Sequence, residues 1–408
     1  MKKYTFKNGI KLIYEYRAAD ITSFCIGFNA GALEERGNFK LGTAHAVEHM
    51  LSKGTKNRTE KEINELCDEI FGFENAMTNF PYVIYYGTSL SQDFERGFEL
   101  YSDMILNATF PQQGFKEEMN IILEELKEWK DDVYQHCEDT LLSNAFNKKR
   151  IKDLIIGTEE SVKAITLEDI KSFYDRYYAP ENCVISVCSS LSFEAVIFIV
   201  EKYFKNWGKG FCDIEEEDKE FNQYGTFIEK ISSIKGAKLQ YLFNIDYLDE
   251  EEMKALSIFN VAFGEGTSSI LFDEVRTKNG LAYDVRSFIK NERGIKFFSI
   301  NIATSEENLE RTLAIVDDSI YKIKNSIGYF NEKKINSLCR GIKLKRQLKL
   351  EKSIQLCKEL TTYELMYGEA QKVYDEVAEL HYINEEKILK VINKVLNKPT
   401  IQVLIPGN

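Results

Sequence analysis

Long apolar runs are missing from this chain. No stretch approaches the 18 or so consecutive apolar residues that cross a bilayer, so no membrane span is expected. The N-terminus, Met1-Lys-Lys-Tyr-Thr-Phe-Lys-Asn-Gly9, has no apolar segment behind its lysines, which disfavours a secretory signal and points to a cytoplasmic protein. Proline is scarce, at five, and 23 glycines are spread over 408 residues, which argues against collagen-like repeats, disorder and long flexible linkers. A basic surplus is absent too. With 53 basic against 65 acidic residues the net charge is −12, and a nucleic-acid partner is not expected. The eight cysteines (Cys25, Cys67, Cys137, Cys183, Cys188, Cys212, Cys339 and Cys357) form no Cys-x-x-Cys pair. Most lie in apolar segments, as free cysteines of a reducing compartment do. Histidine is the rarest of the metal-binding types, with four: His45, His49, His136 and His381.

What is present is an ordinary globular composition, 44% hydrophobic and 29% charged, on a chain long enough for at least two domains. Strand patterns at Ile10–Tyr16, Thr22–Ala30 and Tyr82–Thr88 alternate with helical ones at Gly42–Lys53, Glu60–Ile70, Asp93–Leu106 and Gly114–Val133, an α/β or α+β order. The chain also repeats itself. Thr88-Ser-Leu-Ser-Gln-Asp-Phe-Glu-Arg-Gly-Phe98 resembles Ala303-Thr-Ser-Glu-Glu-Asn-Leu-Glu-Arg-Thr-Leu313 at an offset of 215, with Asp103 and Asp318 at matching places. Ile165–Ile170 pairs with Ile383–Ile388, each a helix start capped by Thr166 or Asn384, and each helix runs to a proline and a strand. Order and spacing together predict a duplicated unit, residues 1–208 and 224–408, joined by an acidic linker over 209–223.

Two of the four histidines stand in His45-Ala-Val-Glu-His49. Positions four apart on a helix lie on one face, so both imidazoles can reach one ion, with Glu48 overhanging it. Zinc takes imidazole nitrogen and carboxylate oxygen, and a catalytic site keeps three protein ligands and an open position. The third donor follows from helical geometry. Along Gly114–Val133 an apolar stripe contains Phe115, Met119, Ile121, Ile122, Leu126, Trp129 and Val133, and of five glutamates only Glu118 and Glu125 fall inside it. Carboxylates on an apolar face must be paired, hydrogen-bonded or bound to metal, so a buried salt bridge is the competing explanation. His136 is expected at the surface, since a fourth protein ligand would close the open position, and His381, just before a helix start, carries no signal.

At this point the segment Gly42-Thr-Ala-His-Ala-Val-Glu-His-Met-Leu-Ser-Lys-Gly-Thr55 resembles the zinc segment of the pitrilysin, insulinase and mitochondrial processing peptidase family. Glu125-Leu126, 76 residues beyond His49, and Glu118 match the family's later acidic positions. Asn75-Ala-Met-Thr78 is similar to its substrate-pairing edge strand, and Phe263–Arg276 with Gly280–Tyr283 to its arginine–tyrosine blocks. Ala46, Val47 and the Phe71-Gly-Phe-Glu74 preceding Asn75 depart from its usual pattern.

The resemblance implies an α+β fold (an α/β sandwich) of two homologous domains, each a mixed, largely antiparallel sheet packed with helices. It implies one Zn²⁺ per chain on His45, His49 and Glu125, Glu48 as general base and Glu118 as support. Arg276 and Tyr283 would contact substrate or the reacting carbonyl, and Asn75 and Ala76 would pair with an extended peptide. The activity implied is a zinc endopeptidase acting on peptides or unstructured segments inside a clamshell, as a homodimer. A non-catalytic scaffold or partner subunit is the alternative, and a metal-dependent lyase a third class.

Overall fold

The computed structural model describes residues 1–208, 210, 214 and 219–407. Apart from Ile214, the centre of the acidic run expected as a linker lies outside the described residues, as does Cys212.

Strands β1 (Lys2–Thr5), β2 (Lys11–Tyr16), β3 (Ile21–Phe28), β4 (Phe71–Thr78), β5 (Val83–Leu90) and β6 (Cys183–Ser189) form one sheet in the order β1-β2-β6-β3-β5-β4. Strands β7 (Gly225–Ile231), β8 (Ala237–Asn244), β9 (Ala282–Glu292), β10 (Ile295–Thr304) and β11 (Thr400–Pro406) form the other, in the order β7-β11-β8-β10-β9. Removing β1 makes the two orders identical under the pairing of β2 with β7, β6 with β11, β3 with β8, β5 with β10 and β4 with β9. Hand of pairing agrees as well: β2–β6 and β7–β11 are parallel, and the other pairs are antiparallel. The sequence repeat therefore marks a repeated sheet. In both sheets the first match spans a strand, a 3₁₀ turn and a helix, and the second spans a capped helix, a proline and a strand.

The helices that position the site are α1 (Thr43–Leu51), α2 (Glu60–Ile70), α3 (Phe94–Asn107), α4 (Gln112–Asp131) and α5 (Val133–Ala145). The helix expected to run to Val133 breaks two residues sooner, after Asp131. Asp132 leaves helical geometry and caps a new helix by accepting from the Tyr134 and Gln135 N–H groups.

By contact the chain divides into two compact units. One comprises Met1–Lys127, Leu154–Glu216 and Leu348–Val373, and the other Glu128–Asp153, Glu217–Gln347 and Tyr374–Asn408. Each unit thus holds one helix from the other half of the chain, an exchange that the consecutive spans 1–208 and 224–408 do not contain. In the first unit the helix Ser353–Tyr367 lies on β3 and β6, and the Thr361 and Ser186 hydroxyls meet at 2.9 Å. Gly27 permits that approach, since a Cβ there would come within 2.6 Å of Thr361 Cγ2. In the second unit α5 lies on β8 and β11, burying Cys137, Leu141, Leu142 and Ala145. Periodicity shows that such a helix buries a face; it does not show which sheet receives it.

The core of the first unit gathers around Phe24, whose ring meets Phe71, Phe94, Phe98 and Tyr101 at centroid distances of 5.2 to 6.2 Å. Those with Phe98 and Tyr101 are edge-to-face, and such contacts add about 0.5–1.5 kcal/mol each beyond simple burial. Together these rings join α3 to β3, the strand beside β5, and to Phe71 at the start of β4. The second core packs Phe243, Phe259, Phe263 and Phe298 between sheet and helices.

Candidate metal centre

Helix α1 begins at Gly42, which sits at φ +91°, and a Cβ there would stand 2.4 Å from the Ile156 carbonyl oxygen. Glycine is what lets the chain turn into the helix against that backbone. The cap residue has no side chain to satisfy the first N–H groups, and the buried Glu35 carboxylate accepts from the Ala44 N–H at 2.8 Å instead. A negative charge is favoured at that end of a helix. One turn later α1 presents His45 and His49, whose ring centroids are 4.6 Å apart.

Helix α4 brings Glu125 to the same place. His45 Nε2 and His49 Nε2 lie 3.8 and 3.6 Å from Glu125 Oε2, and one donor atom from each of the three residues falls within 4.8 Å of the others. Three ligands around a tetrahedral zinc at ordinary bond lengths are about 3.3 Å apart, so the triangle matches one ion after a small contraction. Among the described residues this is the one His/Cys/Asp/Glu group with such spacing.

The electrostatics suit a cation. Burial, and then the neighbouring His49, push His45 down to about 3, so its ring is neutral and able to donate a lone pair. Its Nδ1 is buried without a hydrogen-bond partner. His49 is braced differently. Glu118 Oε2 stands 2.7 Å from His49 Nδ1, and Glu118 Oε1 is 2.9 Å from Lys53 Nζ. Burial opposes the Glu118 charge, but the His49 and Lys53 contacts outweigh it and hold the carboxyl below its usual range. Lys53 is itself buried and also pairs with Glu60 at 2.6 Å, in the first turn of α2. Burial works against the His49 cation, but the Glu118 hydrogen bond and the charges of Glu48, Glu118 and Glu125 raise its pKa.

Glu48 sits beside this group. Burial raises its carboxyl above the ordinary range; Glu125 adds to the shift, and Thr78 and His49 oppose it. The Thr78 hydroxyl donates to Glu48 Oε2. Thr78 ends β4, the edge strand of its sheet, so Glu48 is tied to the strand that carries Asn75 and Ala76. Asn75 Oδ1 accepts the Ala76 N–H at 2.8 Å. Neither Lys53 nor Thr78 was selected by sequence reasoning about charge or metal spacing, although both lie inside segments quoted for the resemblance.

The other expected residues belong to the second unit. Arg276 lies in the last turn of a π-helical segment, Phe272–Lys278, and its Nη1 donates to the Tyr283 carbonyl oxygen at 3.1 Å. Its guanidinium stacks 4.6 Å from the Tyr283 ring centroid and 4.7 Å from that of Phe272. Tyr283 is 82% exposed on the edge strand β9. His136, expected at the surface, is partly buried and paired with Glu229 at 3.1 Å. His381 stacks on Tyr382 at 4.0 Å. Ile121, expected inside the apolar stripe of α4, is 50% exposed. It lies at the stripe's edge, where helical angle alone cannot separate rim from core.

Two imidazoles and a carboxylate, with a further buried glutamate beside them, make up the donor set that catalytic zinc sites of peptidases use. The chain belongs to the pitrilysin/insulinase family of peptidases. Residues 11–159 match the model of insulinase (peptidase family M16), and residues 164–340 match that of the peptidase M16 inactive domain. An uncharacterized zinc protease of Bacillus subtilis is 26% identical over 95% of this chain and 94% of its own length. A further uncharacterized zinc protease, from Rickettsia felis, is 25% identical over 98% and 96%. Among solved structures, a protease from Helicobacter pylori superposes with a TM-score of 0.89 at 20% identity, covering 99% of each chain. A peptidase M16 inactive domain from Pseudomonas fluorescens gives 0.87 at 21%, covering 100% of this chain and 98% of the other. At those identities the superpositions establish the fold.

Proposed function

We propose that this chain is a zinc-dependent endopeptidase that hydrolyses peptides or unstructured polypeptide segments. The observation that carries the reading is the convergence of His45, His49 and Glu125 on one point with Glu48 held beside it. Bound there, zinc supplies Lewis acidity, lowering the pKa of water and polarising the scissile carbonyl.

The remaining work falls to the chain's own residues. Glu48 takes a proton from the attacking water as oxygen bonds to the carbonyl carbon, and delivers it to the departing amine as the C–N bond breaks. A buried carboxyl with a raised pKa suits that exchange near neutrality, and Thr78 fixes one of its oxygens. Glu118, charged and anchored by Lys53, holds the His49 ring by its other nitrogen. The open edge of β4 offers an extended substrate backbone hydrogen bonds that do not depend on its sequence. In this reading Arg276 and Tyr283 are substrate contacts of the second unit.

The chain carries both the zinc set and the arginine–tyrosine pair, which supports assembly as a homodimer without a different partner chain. The described cysteines are free, which accords with a reducing cytoplasm. No helix among the described residues is long and apolar enough to cross a membrane.

Zinc analysis tests the centre. The purified protein should hold one zinc per chain and lose peptide hydrolysis to a chelator reversibly. His45→Ala and Glu125→Ala should each abolish tight zinc binding while the fold, read by circular dichroism, stays. Full zinc retention in both variants would refute the site.

A further inference from the structure

The second unit contains a cavity of about 730 Å³, and Tyr283 forms part of its wall. Its wall includes Tyr134, Lys235, Lys238, Tyr283, Ser305 and Asn308. The charged residues of the lining are Lys235 and Lys238, and none of the lining residues is acidic. That is a local inversion on a chain of net charge −12.

Lys238 is the unusual member. It lies on β8 with its side chain only 4% exposed, and its Nζ is buried without a hydrogen-bond partner. Buried ammonium groups are normally paired, because leaving one unpaired costs several kcal/mol. Two groups partly compensate. The Tyr134 ring covers the ammonium at 2.9 Å from its centroid, a cation–π contact. Asp284 stands at 4.0 Å, too far for a hydrogen bond, and it accepts from the Tyr134 hydroxyl at 3.3 Å. Burial pulls Lys238 down to about 8, with Arg286 acting the same way and Asp284 and Asp132 opposing. Tyr134 opens α5 and is 43% exposed, so its ring has solvent to move into.

From this arrangement we infer that the cavity is a carboxylate-binding subsite, in which the Tyr134 ring swings aside and Lys238, with Lys235 near it, receives an acidic group of the peptide. The inference rests on the peptidase reading and deepens it. Tyr283, an expected substrate contact, lines the same cavity, so the acid recognised belongs to the peptide being held. A glutamate or aspartate side chain and a free C-terminus present the same carboxylate. The acidic balance of the whole chain hints at basic peptides, whereas the wall of this cavity selects the opposite charge at one position.

Fluorescence anisotropy on the full-length, zinc-loaded Glu48→Gln protein separates binding from cleavage. The probes are labelled unstructured peptides in two matched pairs: a glutamate-scanned set against glutamine, and a free C-terminus against its amide. At least one pair should differ by about tenfold, the value of a charge-assisted hydrogen bond. The pair that differs identifies the source of the carboxylate. Lys238→Met should abolish the difference, and Lys235→Gln should reduce it. Should Lys238→Met misfold, reductive methylation of Lys238 followed by mass spectrometry gives a second reading, in which the acidic peptide should protect the amine and its neutral partner should not.

Equal affinity within both pairs, or a preference that survives Lys238→Met, would overturn the subsite. Peptide cleavage by the wild-type enzyme is measured alongside. Cleavage without preference removes the subsite alone. Preference without cleavage removes the peptidase reading and leaves a carboxylate-binding site. Neither one removes both.

Discussion

At the scale of single residues, the site depends on side chains that brace others. Lys53 reaches no donor atom of the metal set, yet it holds Glu118, and Glu118 holds His49. Lys53→Met should remove one of the two contacts that fix the Glu118 carboxylate and loosen its hold on the ring, lowering zinc affinity about 10- to 100-fold, as loss of an outer partner usually does. Competition with a chromogenic chelator measures this directly, and unchanged affinity would show Lys53 to be only a helix-packing residue. Asp103 braces the turn that follows α1. It accepts from Thr55, Asn57, Arg58 and Asn107 at 2.5 to 2.8 Å. Burial works to raise its pKa, but those donors outweigh it and hold it below the usual value. Its stabilising contribution is therefore complete above the unfolded value, about 3.9, and is lost as pH falls through the lower folded value. Asp103→Ala should cost about 2–3 kcal/mol at neutral pH by taking the acceptor from Thr55, Asn57 and Asn107 and leaving Arg58 with Glu99 alone, and should flatten the acid limb of stability measured by urea melts. The pairing of His45 with His49 was legible in the sequence because spacing on a helix is local; the apolar stripe of α4 narrowed the third donor to Glu118 or Glu125, and the family resemblance pointed to Glu125. Lys53 and Thr78 were not legible, because their partners lie on other elements and no period records such a meeting.

At the scale of elements, the entrance to α1 and the strand β4 decide the geometry. Gly42 combines a left-handed φ with a backbone oxygen where a Cβ would go. Gly42→Ala should cost about 2 kcal/mol in chemical denaturation, and should weaken zinc binding as well, since the strain falls three residues before His45. A normal melt with normal zinc affinity would show that the turn can relax. Helices of the zinc-motif half were readable where the period was clear: α2 is bounded where its period begins and ends, at Glu60 and Ile70. The split between α4 and α5 was less so, because apolar residues continue across Asp132 and only the capping hydrogen bonds reveal the break. The stripe argument placed Glu118 and Glu125 on one face and misjudged Ile121, since an angle on a wheel does not say how far a neighbour's surface extends.

At the scale of the molecule, duplication is the organising fact. Five strands of each sheet follow one order with one pattern of parallel and antiparallel pairing. Only one copy carries His-x-x-Glu-His. The two short matches in the sequence pointed to this repeat because strand-to-helix joins keep their turn chemistry while cores drift. The exchange of helices α5 and Ser353–Tyr367 was not legible, since an amphipathic face is complementary to many sheets. The proposed homodimer is tested by sedimentation at micromolar concentration, where a mass near twice 47.3 kDa is expected. A monomer at all concentrations, with peptide present, would contradict it.

Glu48 is the residue on which peptide hydrolysis by this chain depends most directly in the proposed mechanism. Digestion of a pool of unstructured peptides by zinc-loaded wild type and Glu48→Gln, read by mass spectrometry, compares the two proteins at equal zinc content. Wild type should cleave within the chains, and the variant should be slower by about 10²–10⁴-fold, the range for losing a general base. Equal cleavage by both, or none by the zinc-loaded wild type, would contradict the assignment of this chain as a peptidase that works through Glu48.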